Sequence, residues 1–258
     1  MAALAVGNVL VSGTAAGIGR EIAETLAGAG TAVALADRDP AVEAVAAALA
    51  EKGAQTVAIV GDLDSAAAAE AMVARGWDAL GGLDALVNVA GLYPVTPSLD
   101  LGEDEWDRVL GLNLKTPFFA AQALARRLVD AGRPGRIVNI GSTASTLARP
   151  GVAHYASSKA GLNQLTKVLA VEWGRHGILV NAVLPGVIAT ERVKAMSEAP
   201  EGRAEAAAKR ARIPLGDFGR PADVAALVAF LLSSAAAYCT GGLFTVDGGY
   251  TLGIPDYG

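Results

Sequence analysis

The sequence predicts an α/β fold: a single-domain, doubly wound parallel sheet of seven strands with helices on both faces, spanning residues 1–258. Three observations predict it. Short apolar runs alternate with longer segments of helical spacing along the whole chain. The short runs are apolar on both faces, as strands are when helices cover both sides of their sheet. No Pro/Ser/Gly-rich linker and no repeat of fixed period divides the chain.

The elements follow in order. Strand Val9–Val11 runs through a glycine turn into a helix over Gly17–Ala29. Strand Ala32–Ala36 precedes a helix at Ala41–Lys52, and strand Thr56–Val60 one at Ser65–Leu80. Strand Ala85–Asn88 is followed by one long helix, Glu103–Ala131. Strand Arg136–Ile140 leads to a helix from Val152 to His176, and strand Ile178–Val183 to a segment rich in alanine and both charge signs. That segment, about 187–216, reads as a mobile helical lid with a solvated outer face. Helix Pro221–Ser233 and strand Leu243–Val246 complete the pattern. Glycines at 28, 30, 53 and 132 fit helix stops, and Pro221 fits a first helical turn. Ligands of such sheets sit beyond the carboxyl ends of the strands, so the chemistry is expected just after them.

Composition limits the function. Apolar residues make up 52% and charged residues 18%, enough for a substantial core. The net charge is −5 and the pI about 5.1, with no basic stripe, which speaks against a nucleic-acid partner. Cys239 is the lone cysteine, so neither an internal disulfide nor a cysteine metal cluster can form, and no metal is expected. Met1–Asn8 has no basic residue ahead of an apolar run and does not read as a signal peptide. Both features suit a reducing cytoplasm. The weakly charged stretch Val224–Cys239 contains Ser233 and Ser234 and follows Pro221 and Asp223. It reads as a buried helix, not a membrane span.

The segment Ser12-Gly13-Thr14-Ala15-Ala16-Gly17-Ile18-Gly19 has glycines spaced G-x-x-x-G-x-G between a strand and a helix. One glycine lets the chain reverse, one lets the backbone approach a pyrophosphate, and one lets helix and strand pack closely. The helix start then offers free N–H groups and a positive dipole end to phosphate. Asp37 ends the second strand, eighteen residues after Gly19. A carboxylate there accepts hydrogen bonds from both adenosine ribose hydroxyls and repels a 2′-phosphate. Ala15 and Ala16 stand where a basic residue would meet that phosphate. Arg38 is the contrary signal, read here as a solvated charge. NAD is therefore expected over NADP.

Tyr155 and Lys159 lie four apart on one face of a predicted helix. A free phenol titrates near 10, and a nearby ammonium stabilises the phenolate and lowers that value. Ser142, thirteen residues before Tyr155, follows a strand, and its hydroxyl can hydrogen-bond a substrate oxygen.

These residues occur in order with Asn88-Val89-Ala90-Gly91, Asn113, Pro185-Gly186 and Val246-Asp247-Gly248-Gly249. The whole set, from about Val9 to Gly249, closely resembles the short-chain dehydrogenase/reductase family. The resemblance implies a Rossmann fold and a set of roles. Ser142 orients the carbonyl or hydroxyl oxygen, Tyr155 is the acid/base, and Lys159 holds the nicotinamide ribose and lowers the tyrosine pKa. Asn113 supports a water that passes protons through the lysine to solvent. Asp62 and Leu63 border the adenine; Asn88, Ala90 and Gly91 line the cofactor strand end. Val187, Ile188 and Thr190, after Pro185-Gly186, meet the nicotinamide and its carboxamide. A homotetramer is implied, with the two long helices pairing across one interface and the tail 251–258 near another. Two departures stand out: Ser12 where the family usually has threonine, and Val89 where it usually has a second asparagine. Slightly altered hydrogen bonding is expected at Val89, with no loss of activity.

The leading expectation is hydride transfer between NAD(H) and a small secondary alcohol or ketone. The runner-up is a 3-oxoacyl thioester reductase, for which a basic patch at the pocket mouth would speak and against which the acidic pI speaks. A non-catalytic dinucleotide-binding regulator is the other alternative, opposed by the intact Ser142, Tyr155 and Lys159. Substrate choice falls to the loops 92–95, 143–154 and 188–216. Tyr93-Pro94 resembles the same place in family members acting on aryl-substituted secondary alcohols. His154 adjoins Tyr155, and neighbours on a helix do not share a face, so its side chain is expected to point away from the pocket.

Overall fold

In the computed structural model, which describes residues 4–253, the apolar runs form seven strands. They are β1 (Asn8–Ser12), β2 (Ala32–Asp37), β3 (Thr56–Val60), β4 (Ala85–Asn88), β5 (Gly135–Ile140), β6 (Ile178–Pro185) and β7 (Leu243–Val246). They build one sheet in the order β3-β2-β1-β4-β5-β6-β7, and every neighbouring pair is parallel. The order reverses between β1 and β4, which opens a crevice beyond their carboxyl ends.

Alternation within each strand divides two cores. Val9, Val11, Val33, Leu35, Ala85 and Val87 face one side. They pack against α1 (Gly17–Gly28), α2 (Ala41–Glu51) and α9 (Pro221–Leu231). Leu10, Ala34, Ala36, Leu86 and Ile137 face the other, against α3 (Ala66–Leu80), α5 (Thr116–Asp130) and α6 (Ala153–Trp173). Successive side chains of a strand point to opposite faces, so β1, β2, β4 and β5 each serve both cores.

Two helical expectations are refined. The long helix expected over Glu103–Ala131 runs on in helical conformation from Glu103 to Asp130, with a π-helical turn at Gly111–Lys115 between α4 (Glu103–Leu110) and α5. Pro117 lies in the first turn of α5, where its missing N–H cannot extend an α ladder from α4. The lid segment forms two short helices, α7 (Glu191–Glu198) and α8 (Arg203–Ala211). Ala199 is extended between them (ψ 141°), as a residue preceding proline prefers, and Pro200 follows. No helix among the described residues is long and apolar enough to cross a membrane. Residues 254–258 of the tail expected near an interface lie outside the described residues.

Candidate active site

The glycine turn is built by contacts that a side chain would forbid. Gly13 is left-handed (φ +73°), and a Cβ there would lie 2.8 Å from the Ala90 nitrogen of the turn after β4. A Cβ on Gly19 would lie 1.9 Å from the Gly13 carbonyl oxygen, so only glycine lets α1 close on the turn. Ser12 Oγ accepts from the Val89 and Ala90 N–H groups at 3.1 and 3.2 Å. The hydroxyl retained at position 12 thus ties β1 to the turn after β4, while Val89 itself packs against the core.

Helix α1 begins after Ala16, whose side chain caps nothing, and its first turn carries no acid. Alanine is among the poorest N-caps, and an anion at the helix start would satisfy its free N–H groups. The residues present fit a dinucleotide pyrophosphate at Ala16, Gly17, Ile18 and Gly19. Asp37 stands beside this turn: Oδ2 accepts from the Ala15 N–H at 2.9 Å and Oδ1 from the Asp39 N–H at 3.0 Å. Arg38 is exposed, as is Asp62, whereas Leu63 is buried and its carbonyl accepts from Thr116 Oγ1 at 2.7 Å.

The side-chain amide of Asn88 donates to Asn139 Oδ1 at 2.9 Å, and Asn139 donates to Thr166 Oγ1 at 3.0 Å. This buried chain joins β4, β5 and α6 beneath the crevice floor. The sequence signal for Asn139 was a lone amide inside an apolar strand, and it passed unread. Gly186 meets the turn after β7, where a Cβ would lie 2.7 Å from Asp247 Cβ. Asp247 in turn accepts from the Gly249 N–H and from the N–H and hydroxyl of Thr251. Pro185 ends β6; Val187 and Ile188 follow Gly186, and Ile188 is buried. Thr190 caps α7 and sits beside Gly17, 3.3 Å from where a Cβ on that glycine would be. The loop after β6 therefore reaches the glycine turn, a closeness no local pattern reports.

Tyr155 and Lys159 project from one face of α6 toward the end of β5. Lys159 Nζ donates to the Ile140 carbonyl at 2.8 Å and lies 5.9 Å from the centroid of the Tyr155 ring. Burial pushes the Tyr155 phenol above its usual value, and the hydrogen-bonding Ser142 hydroxyl opposes that rise. Burial drives Lys159 down to about 8. The expectation for the phenol is thus reversed here, because desolvation outweighs the Ser142 hydrogen bond and the charge of Arg149 that oppose it. Ser142 also caps the turn Thr143–Ser145, its Oγ accepting from the Ala144 N–H at 3.1 Å. Asn163, another four residues along from Lys159, donates to Ser145 Oγ at 2.8 Å and steadies that turn. Its i+4 register was the signal that would have found it.

Asn113 sits in the π-helical turn and clamps Leu92 by both backbone groups, accepting from its N–H at 2.8 Å and donating to its carbonyl at 2.9 Å. A Cβ on Gly91 would lie 3.1 Å from Asn113 Oδ1 and 3.7 Å from Lys159 Nζ, so Gly91 alone separates the amide from the ammonium. His154 is fully buried and faces away from the crevice, with Nε2 3.0 Å from Glu105 Oε1 on α4. The same oxygen accepts from Thr96 Oγ1 at 2.7 Å, tying the loop after β4 to α4 and α6. Those bonds, Thr96 first and then His154, hold the Glu105 carboxyl below its usual range. Above the crevice, Leu147, Val187, Ala189 and Val193 pack against Ala206, Ile213, Phe218 and Tyr250.

Comparison with known proteins agrees with this arrangement. A family model described as enoyl-(acyl carrier protein) reductase matches residues 13–251. The chain is 39% identical over 245 residues to galactitol 2-dehydrogenase (L-tagatose-forming) of Cereibacter sphaeroides, covering 94% of each chain. It is 40% identical over 256 residues to (3R)-3-hydroxyacyl-CoA dehydrogenase of Mus musculus, covering 93% of this chain and 94% of that one. A solved structure described as an NAD(P)-dependent gluconate 5-dehydrogenase from Beutenbergia cavernae, with bound NADP, superposes with a TM-score of 0.90 at 34% identity. That match covers 98% of this chain and 100% of the other. The parallel sheet, the glycine turn and matches of this extent make the chain a member of the short-chain dehydrogenase/reductase family of oxidoreductases.

Proposed function

We propose that the chain interconverts a secondary alcohol and its ketone with NAD(H), and that Ser142, Tyr155 and Lys159 carry the reaction. One observation supports this most: the three side chains gather past the end of β5 while the uncapped start of α1 lies past the end of β1 on the same edge of the sheet. The dinucleotide, when bound, accepts or supplies the hydride. The α1 N-terminus holds its pyrophosphate, with Gly13, Ala16, Gly17, Ile18 and Gly19 giving the backbone room. Asp37 binds the adenosine ribose and, as an anion, disfavours a 2′-phosphate, which supports NAD over NADP. Asp62 and Leu63 border the adenine, Asn88, Ala90 and Gly91 line the cofactor strand end, and Pro185, Gly186, Val187, Ile188 and Thr190 line the nicotinamide side.

For the chemical step, Ser142 Oγ donates a hydrogen bond to the substrate oxygen. Tyr155 Oη receives the hydroxyl proton during oxidation and returns it during reduction. Lys159, an ammonium below a pH of about 8, stabilises the phenolate and opposes the burial that raises its pKa. Asn113 supports the water through which the proton leaves past Lys159. Helices α7 and α8 close over the substrate. A homotetramer is the assembly this reading carries, formed through α4, α5 and α6, where Val129, Val168 and Val171 are exposed; light scattering tests it.

A panel of secondary alcohols and ketones, each run with NAD(H) and NADP(H), tests the reading. Turnover with NAD(H) is expected; turnover with NADP(H) alone would remove the role given to Asp37. A second reading, reduction of 3-oxoacyl thioesters, draws on the (3R)-3-hydroxyacyl-CoA relative. Two of the three cations of α8 weigh against it, because Lys209 and Arg210 are already paired with Glu205 and Asp217. A thioester in the same panel separates the two.

A further inference from the structure

The wall beside Tyr155 carries a charge that the chemistry above leaves unused. Arg149 lies between β5 and α6, seven residues after Ser142 and six before Tyr155. Its guanidinium carbon stands 5.7 Å from the centroid of the Tyr93 ring. That ring meets Tyr155 edge-on, with centroids 4.5 Å apart and planes at 90°. Together the two distances hold the guanidinium within about 10 Å of the Tyr155 ring.

Arg149 is half-buried and has no ion-pair partner among the described residues. Tyr93 Oη is buried and makes no hydrogen bond of full geometry, with Arg149 the nearest donor, weakly opposing the burial that raises the phenol. Glu205 of α8 acts on both groups through space, but Lys209 holds its carboxylate at 2.6 Å. A guanidinium is a planar fork that takes a carboxylate by two parallel hydrogen bonds, and an aromatic face beneath it restrains its position. A buried phenol hydroxyl with only Arg149 near it leaves room for a polar group beside the same guanidinium.

We propose that Arg149, seated on Tyr93, selects substrates bearing a carboxylate a few carbons from the secondary alcohol: short-chain hydroxy acids, sugar acids among them. This rests on the alcohol-oxidising reading of Tyr155. The reaction itself is unchanged. The carbinol C–H leaves as hydride to the oxidised dinucleotide, the O–H proton passes to Tyr155, a C=O bond forms, and the carboxylate only anchors the molecule.

The test compares kcat/KM for polyols, for the aldonic acids of equal carbon number, and for an aryl-substituted secondary alcohol. Wild type, Arg149→Gln, Arg149→Lys and Glu205→Gln are assayed side by side. Wild type is expected to prefer an acid over its neutral counterpart by about tenfold or more. In Arg149→Gln the acid-to-neutral ratio falls about ten- to a hundredfold, mainly through KM. Arg149→Lys is intermediate, and Glu205→Gln raises the ratio. Preference for a neutral polyol or the aryl alcohol over every acid overturns the inference and leaves the alcohol-oxidising reading standing. So does a ratio that does not move in Arg149→Gln. No turnover of any secondary alcohol or ketone overturns both.

Discussion

Replacing Lys159 with methionine removes an ammonium that the fold holds against its preference for water. Lys159 is 4% exposed, its Nζ has the Ile140 carbonyl at 2.8 Å, and no carboxylate among the described residues pairs with it. Burial takes its pKa from 10.5 to about 8. At about 1.4 kcal/mol per unit, the charged form costs the fold about 3 kcal/mol at neutral pH. Below a pH of about 8, folded and unfolded chains both carry the proton, and the cost is constant. Between about 8 and 10.5 the unfolded chain holds more protons, so stability rises with pH. The methionine variant lacks this titration. Wild type is therefore expected to gain about 2 kcal/mol on Lys159→Met between about pH 7 and about pH 9.5. The variant also leaves the Ile140 carbonyl without its donor, at a cost of about 1–3 kcal/mol that does not depend on pH. Urea denaturation of cofactor-free protein at the two pH values measures the difference. A wild-type-minus-variant stability that stays constant within about 0.5 kcal/mol would refute the buried-charge reasoning.

Three further outcomes are expected. Tyr155→Phe lowers kcat by about 10²- to 10⁴-fold while NADH binding, followed by fluorescence titration, stays nearly intact; retained turnover assigns the proton to another group. Gly19→Ala drives a methyl into the Gly13 carbonyl, so thermal melting should show a loss on the order of 1–3 kcal/mol or more, with NADH affinity lost in parallel. A variant that melts and binds as wild type would contradict the packing described. Asp37→Ala removes the anion facing the ribose and also the acceptor of the Ala15 N–H; the kcat/KM ratio of NAD to NADP should fall by about tenfold or more. An unchanged ratio would place cofactor choice elsewhere.

Much of the fold is legible in the chain because its rules are local. A strand covered on both faces is mainly apolar, and the strands were readable for that reason even where Asn139 or Asn181 interrupts the run. The glycine turn was legible because left-handed backbone and close approach exclude side chains, and Tyr155 and Lys159 because a four-residue spacing on a helix is a spatial statement. The π-helical turn at Gly111–Lys115 was written in Pro117, yet an apolar period running on both sides concealed it.

What depends on meetings between distant segments was not legible. That Ser12 bonds the turn after β4, that Thr190 lies beside Gly17, and that His154 turns toward Glu105 follow from packing across the sheet. The balance of charge belongs to the same class. From the sequence alone, a lysine four residues from a tyrosine lowers the phenol's pKa. Only tertiary structure decides that burial raises Tyr155 against the Ser142 hydrogen bond and draws Lys159 down to about 8. The residue types and their order determined by themselves the sheet, the glycine turn and the side-by-side placing of Tyr155 and Lys159 on α6. Desolvation, a property of everything packed around a group, set how those groups hold their protons, and the same packing set Arg149 over the Tyr93 ring, which meets Tyr155 edge-on.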